Sequence, residues 1–559
     1  MPKVSKQTAG KIGLFSAIMI IFGAVVGIGV FFKNYAVFRS NNGNWIGVLI
    51  SWLIAIIMVL CIAVSYGEIV TCKIKNKSEG LGGWAARFNG HHLGRLTKLM
   101  YTQVYYPVLT FAILFFTGEA ALNIFGSPGI IDSFGKPTTL YIFLVGGGLF
   151  ALFIFLNYYT SKGMTRFSNI TGLIKFLPLA AVCILGIVFG ILRGKNGVGD
   201  LPGQGIGLWE EQWWGQWTVG NADLTYGPTG SLDVTGIISC IPAVLFAFEG
   251  YLVIGNVAGD MENPEKNVPL SIIIAMIIIS ALNIAITVGC MTAGTGNVYH
   301  LMHLVANNDE HVANILNTII SVFIFICIIG VLNAMVFSGM RAFQVACADD
   351  TLFKGKALAK KKPGKLFAGA VYFSAMIGIW WIGIGIPSVL LNTDAIADAS
   401  SMILVVMTYF LYGSTLLGGF ANRFTNKVKV KKIKVFPVTA FVGVLACCFV
   451  ICFSGFYENL VDVAIHPHDI NPNNWGLFVQ DQDGNPLPNF LNTTFVTQHG
   501  FIYEGFQWEN WSECIVFWSI TVVMFAIPFI NDLLIYHHDL DNLTSLIWQA
   551  PTSDEIIFD

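Results

Sequence analysis

The chain has 559 residues, 55% hydrophobic and only 11% charged, with a formal net charge of −2. Soluble domains carry about 25% charged residues, so this deficit, with a mean hydropathy of +0.67, excludes a soluble globular protein and defines an all-α, multi-pass integral membrane protein. The balance of charge gives no sign of a nucleic-acid partner or an acidic one.

A membrane span needs roughly 20 apolar residues. Twelve such runs are placed, at about 14–37, 46–70, 100–125, 139–159, 168–192, 235–258, 269–293, 315–340, 366–387, 399–419, 435–456 and 512–535. With the N-terminus taken as cytoplasmic, all but six of the 31 lysines and arginines fall on the inner side. Lys33, Arg39, Lys136, Arg193 and Lys195 lie outside, and Lys175 lies within a span. The positive-inside rule therefore puts both termini in the cytoplasm, with the plasma membrane as the expected site. The first span has no small-residue cleavage site close behind it and is read as retained. Of the 11 cysteines, none sits in the long outer loops unless Cys514 counts, and none has metal-ligand spacing, so neither a stapled ectodomain nor a metal or cofactor is expected.

Two apolar runs are poor sequences for an unbroken helix. The first is Gly23-Ala24-Val25-Val26-Gly27-Ile28-Gly29-Val30-Phe31, in the middle of span one. The second is Phe246-Ala247-Phe248-Glu249-Gly250-Tyr251, in span six, running on to Glu262-Asn263-Pro264-Glu265-Lys266. Each glycine costs about 1 kcal/mol against alanine in a helix interior, and bare backbone at membrane depth is tolerated only where it lines a cavity or is buried in protein. Two breaks five spans apart fit a 5+5 inverted repeat (a LeuT-like arrangement) with discontinuous helices 1 and 6. The expected units are residues 1–192, an outer Gly/Trp-rich loop 193–234, residues 235–420, and an accessory pair with a cytoplasmic tail at 421–559. That last unit contains a polar outer loop at 457–511. The tryptophans Trp209, Trp213, Trp214 and Trp217 read as an interfacial lid. The lysine runs at 354–362 and 427–434 read as topology signals that also attract anionic membrane lipid.

These motifs resemble those of the amino acid–polyamine–organocation permeases. The first break matches a G-x-x-[IV]-G-x-G-[IV]-F signature. Ser65-Tyr66-Gly67-Glu68-Ile69 with Gly80-Leu81-Gly82-Gly83-Trp84 resembles the second-span exit and the loop after it. Glu262-Asn263-Pro264-Glu265-Lys266-Asn267-Val268-Pro269 resembles the sixth-span exit, and Arg341-Ala342-Phe343 through Ala348-Asp349-Asp350 the loop after span eight. All four occur in order across roughly residues 10–420.

The resemblance implies an amino acid transporter, not an enzyme, working by alternating access around a midplane site, with monomer and homo-oligomer both open. Free N–H groups near Gly27, Ile28 and Gly29 would hold the substrate carboxylate, while carbonyls of Val25, of Phe246 and near Glu249 would take its ammonium. Phe246 would be an aromatic gate, with Ala247, Phe248 and Gly250 completing the sixth-span break. The competing reading is that these glycines only let helices approach. Lys175 resembles a fifth-span lysine of proton-coupled members, whose ammonium would meet carbonyls near Gly23 and Val26. The alternative is a lysine snorkelling to the inner face.

Glu249 departs from the usual uncharged residue at this point of the family. It would favour a cationic substrate, titrate in proton coupling, or close the break with a hydrogen bond. Tyr105 and Tyr106, before Pro107, would either face the pathway or form a kinked helix wall. The leading expectation is proton-coupled uptake (symport), the second is exchange without ion coupling, and a non-transporting membrane sensor is the remote third. A channel would show charged rings or a filter sequence, and a membrane enzyme a nucleophile-base or metal-ligand constellation. Neither pattern appears.

Overall fold

The computed structural model describes residues 12–27, 34, 37, 41, 44–72, 80–124, 138–193, 217–218, 225–226, 234–292, 298–306, 309–362, 365–391, 395–465, 493–496, 502–504 and 510–536. Among them are eleven helices long and apolar enough to cross a membrane, plus the shorter apolar helix Leu14–Val25. The chain is therefore an all-α, multi-pass membrane protein. The only strands among the described residues are two short hairpins, Trp217–Thr218 with Thr225–Tyr226 and Thr493–Val496 with Ile502–Glu504. Trp209, Trp213 and Trp214 lie outside the described residues.

Two groups of spans carry the core. In one, the first helix, the second span (Trp45–Ile69), the sixth-span segments and the seventh span (Pro264–Thr292) pack on one another. In the other, the third (Tyr106–Ile124), fourth (Thr138–Tyr159), eighth (Glu310–Ala348) and ninth (Phe367–Trp380) spans do so. The tenth span (Ala395–Thr425) and eleventh (Phe436–Val450) pack together. The tenth also touches the third span and the helix Leu81–Asn89, while the eleventh touches the second. Apolar side chains such as Phe155, Ile184, Leu445 and Phe529 point outward, as lipid-facing positions do.

Small residues set the close approaches. A Cβ on Gly186 would lie 2.0 Å from the carbonyl oxygen of Gly289, so the fifth and seventh spans touch backbone to backbone. Without a hydrophobic drive between helices in lipid, such contacts supply the packing that holds spans together.

Prolines punctuate the spans at residues that matter. Pro107 cannot donate to the carbonyl of Gln103, and the third span passes through a π-helical turn at Met100–Tyr105. The orphaned Gln103 carbonyl is met by Trp380 Nε1 from the ninth span at 3.3 Å. Pro178 likewise cannot donate to Ile174, and the fifth span divides at Lys175 into Ser161–Ile174 and Phe176–Arg193. The halves have different neighbours: Ser161–Ile174 packs on the first and eighth spans, Phe176–Arg193 on the seventh.

Three boundaries differ from the sequence reading. The third membrane-crossing segment starts at His91 rather than near 100. Helix also extends past 456 to Ile465, into the expected polar loop, because Leu460, Val461, Val463 and Ile465 continue the apolar run. The first span is described as a helix only to Val25, and residues 28–33 lie outside the described residues.

Candidate functional site

The first helix stops at Val25 because Val26 leaves helical geometry, at φ −76° and ψ 100°. Its N–H still reaches the Phe22 carbonyl at 2.9 Å, the last turn of the helix. A helix end leaves its final carbonyls without intrahelical partners. Two carbonyls at this end face one cation: Lys175 Nζ donates to Gly23 O at 2.9 Å and to Val26 O at 2.6 Å. Lys175 is fully buried and does not snorkel to a surface. Its space comes from Gly330 on the eighth span, where a Cβ would lie 3.1 Å from Lys175 Cε and 2.9 Å from Thr171 Oγ1.

The Ser161–Ile174 half of the fifth span is fixed to the eighth by a buried polar chain. Asn333 Nδ2 donates to Ser168 Oγ at 2.8 Å and to Met164 O at 3.2 Å. Asn157 Nδ2 from the fourth span donates to Asn333 Oδ1 at 3.0 Å. One side of the Lys175 contact is thus anchored to the third–fourth–eighth–ninth group. The other side, the first-helix end, belongs to the opposite group.

The sixth span breaks after Ile241–Phe246 and resumes as a tight helix at Tyr251–Asp260. Within the turn, Glu249 N–H donates to Phe246 O at 3.1 Å, and Gly250 takes φ +101°, which L-residues rarely adopt. The two breaks meet there: a Cβ on Gly250 would lie 3.4 Å from Ala24 O and 2.9 Å from Met335 Cε. Gly27 is as tight, with a Cβ falling 2.7 Å from Val331 Cγ2. Val25 is buried against this junction, and Phe246, Ala247 and Phe248 are buried too, with Phe248 edge-on to Trp52. Ile28 and Gly29 lie outside the described residues.

Glu249 is 5% exposed and turns towards tyrosines. Tyr105 of the third span donates to its Oε2 at 3.4 Å and Tyr412 of the tenth span at 3.5 Å, both long for O–H···O bonds. Tyr101 stacks on Tyr105 with centroids 4.2 Å apart and planes 8° from parallel. Tyr412 in turn meets the rings of Tyr66, Tyr251 and Tyr409. Tyr106 points elsewhere and accepts from Asn256 Nδ2 at 2.5 Å. Tyr101 also lines a small cleft of about 30 Å³ together with Gly82, Lys98, Thr102 and Asn256.

Sequence reasoning singled out Lys175, Glu249 and Tyr105, but missed Tyr101, Tyr412 and Gly330. Tyr101 was accessible, since it precedes Tyr105 by four residues and so shares its helix face. Tyr412 and Gly330 carry no local signal; only the packing of distant spans brings them in.

The start of the first span and the exit of the sixth are also tied. Glu262 N–H donates to Ile12 O at 3.0 Å, so the segments flanking the first and sixth spans pair. Glu68, 2% exposed, accepts from Arg423 Nη2 at 2.5 Å and from Ile433 N–H at 2.6 Å, which makes it a structural carboxylate.

Two interrupted spans touch within a helical membrane bundle, with Lys175 buried on one side and Glu249 on the other, an arrangement that suits a carrier of small polar solutes. The chain belongs to the amino acid permease family, whose model matches residues 12–472. Transport of amino acids, not catalysis, is the activity of that family. The serine/threonine exchanger SteT of Bacillus subtilis is 24% identical over 443 residues, covering 78% of this chain and 88% of its own. The aspartate-proton symporter of the same organism is 23% identical over 271 residues, 48% of this chain and 45% of that one. The lysine-specific permease LysP of Escherichia coli is 24% identical over 261 residues, 45% of each chain.

Proposed function

We propose that the protein is a proton-coupled amino acid transporter of the plasma membrane, with both termini cytoplasmic, in which Lys175 carries the coupling proton. The observation that carries this reading is the pair of bonds from Lys175 Nζ to Gly23 O and Val26 O, at 2.9 and 2.6 Å. A protonated lysine holds the end of the first helix through charge-assisted bonds, roughly twice as strong as neutral ones. A neutral amine has only two N–H donors and no charge, so deprotonation loosens that end. Because the fifth-span inner half is anchored to one group of spans and the first helix to the other, the proton state biases how the two groups sit. Alternating access then follows from rocking of the groups around the two breaks, within two five-span repeats and an accessory pair.

In this reading the substrate's carboxylate meets backbone N–H groups beyond Val26, at Gly27, Ile28 and Gly29. Its ammonium meets carbonyls of Val25 and of the Phe246–Gly250 break, and Glu249 favours substrates with a positive side chain. The test is uptake by Lys175→Ala: gradient-driven accumulation is expected to disappear while downhill entry persists. Equal accumulation in that variant would remove Lys175 from the coupling. Exchange without ion coupling is the second reading, favoured by the description of the Bacillus subtilis relative as a serine/threonine exchanger.

A further inference from the structure

The helices Leu81–Asn89 and His91–Leu99 form a hairpin that leads into the third span. A Cβ on Gly82 would lie 2.9 Å from Lys98 Cα, so no side chain fits between its arms. The hairpin packs on the tight helix that follows the sixth-span break: a Cβ on Gly255 would lie 2.6 Å from Trp84 Cη2 and 3.0 Å from Gly80 Cα. The cleft of about 30 Å³ is walled by Gly82 and Lys98 of the hairpin, Thr102 of the third span, Asn256 of the sixth and Val345 of the eighth. It holds a water or two, and no amino acid. A solute leaving the two breaks by this route must part the hairpin from its neighbours.

Polar ties join the hairpin to other spans. Asn89 Nδ2 donates to Ser414 O of the tenth span at 2.6 Å. Lys98 is ion-paired with Asp349 at the end of the eighth. Arg95 meets Asp532 of the last span (Asn510–Tyr536) with two prongs, Nη2 to Oδ1 at 2.7 Å and Nε to Oδ2 at 3.3 Å. The residue beside it continues the tie: Asn531 Oδ1 accepts from Phe353 N–H at 3.1 Å, and its Nδ2 donates to Thr351 O at 3.0 Å. Two consecutive residues of the last span thus hold both the hairpin and the segment after the eighth span. Pro528, three residues earlier, cannot donate to the Met524 carbonyl, and a helix bends at such a point. Asn531 and Asp532 lie beyond residues 12–472, the part that the family model matches.

The two contacts differ in strength. Asn531 is 5% exposed and closed on both amide atoms, so it seats the end of the last span firmly. Arg95 and Asp532 are 15% and 26% exposed, so water screens their pair, and it opens far more readily than a buried pair such as Glu68 with Arg423. The bidentate geometry fixes where the pair re-forms. A firm seat beside a breakable, well-aimed ion pair is the construction of a latch.

Resting on the transport reading, we propose that Asp532 and Arg95 latch the hairpin shut over the two breaks, with Asn531 seating the last span, which makes these three positioning residues of the transport cycle. In the proposed topology the hairpin lies at the cytoplasmic end. The latch then favours the state open to the outside, and release of substrate follows its opening. Weakening it lowers the fraction of carriers ready to bind from outside, and apparent affinity falls with that fraction.

The test labels the purified full chain carrying Thr102→Cys, at the cleft wall, with N-ethylmaleimide, read residue by residue by mass spectrometry. Adding Asp532→Asn is expected to speed labelling at position 102 by about three- to fivefold, the shift that a partly exposed pair can carry. Asp532→Glu, and the swapped pair Arg95→Asp with Asp532→Arg, should bring the rate back towards that of the parent. Cys290 and Cys327, both fully buried, should label no faster. No rise at position 102, or an equal rise at Cys290 and Cys327, would overturn the latch. In proteoliposomes, the KM for uptake of L-lysine and of L-norleucine, its neutral near-isostere, should rise by the same factor in Asp532→Asn, because the latch changes populations and not binding. A lower maximal rate at unchanged KM would make Asp532 a structural support and overturn its positioning role. Uptake of neither by the wild type would contradict the transport reading, and the labelling would then decide the latch alone. Should Asp532→Asn fail to accumulate, Arg95→Gln is read in the same way.

Discussion

Glu68 and Glu249 are both buried carboxylates of the same bundle, at 2% and 5% exposure, yet their surroundings are opposite. Glu68 has a guanidinium and a backbone N–H, each within 2.6 Å of one oxygen. Arg423 also donates to Ile433 O and lies over the Phe436 ring, so the second span, the tenth span and the start of the eleventh are joined at one point. Glu249 has two long tyrosine bonds and no cation among the described residues. Glu68 brings its counter-charge with it, whereas at Glu249 that position is open among the described residues. Lys175 belongs with Glu249 in this respect, since its described partners are carbonyls.

The largest expected effect comes from breaking the closed site. Arg423→Ala leaves Glu68 buried and unpaired, and breaking such a pair costs about 3–5 kcal/mol. Thermal unfolding of the purified protein should show a large fall in midpoint, and uptake of every substrate should fall together. If instead only one substrate class suffered, Glu68 would not be the structural counterpart of Glu249.

Next in size is Gly250→Ala, placed between the two breaks. Its φ of +101° disfavours a side chain, and Met335 Cε would stand 2.9 Å from the new Cβ. The backbone term alone is about 1–2 kcal/mol. Lysine and norleucine uptake should drop alike, with the protein still reaching the membrane. A selective loss of lysine would mean that the turn acts only through Glu249.

Gly330→Ala sharpens the comparison on the other charge. The new Cβ would lie 2.9 Å from Thr171 Oγ1, which must move, and 3.1 Å from Lys175 Cε, which must give by a few tenths of an ångström and so disturbs the ammonium's hold on its two carbonyls. Accumulation driven by a proton gradient should weaken more than downhill entry, measured in the same vesicles. Equal weakening would mark Gly330 as a packing position only.

The smallest effect is expected for Asn333→Ala, which releases the fifth span from the eighth. Interhelical polar contacts of this kind average about 0.6 kcal/mol in a membrane. A modest fall in unfolding midpoint should accompany a reduced accumulation ratio. A normal ratio would show that Lys175 needs no such anchoring.

Much of the architecture was legible because membrane spans declare themselves by length and apolarity. The two breaks were legible through Gly27, Gly29 and Gly250, which weaken a helix wherever they stand. The resemblance named Gly23 and Val26 as neighbours of Lys175; what their contact does is a matter for experiment. Other features depend on partners far along the chain. Pro107 announces a kink, but not that Trp380 would satisfy the Gln103 carbonyl 277 residues away. Tyr412 reads as one more aromatic in an apolar helix until packing turns it towards Glu249. The helix to Ile465 was missed because Glu458 and Asp462 read as loop residues, whereas the apolar side chains between and after them keep the helix going.

The most direct measurement is uptake of labelled lysine into sodium-free proteoliposomes with an acidic exterior, for wild type and Lys175→Ala side by side. The account predicts accumulation above the external concentration in wild type and simple equilibration in the variant. Accumulation of the same size in both, or wild-type uptake only after the vesicles are loaded with amino acid, would contradict it.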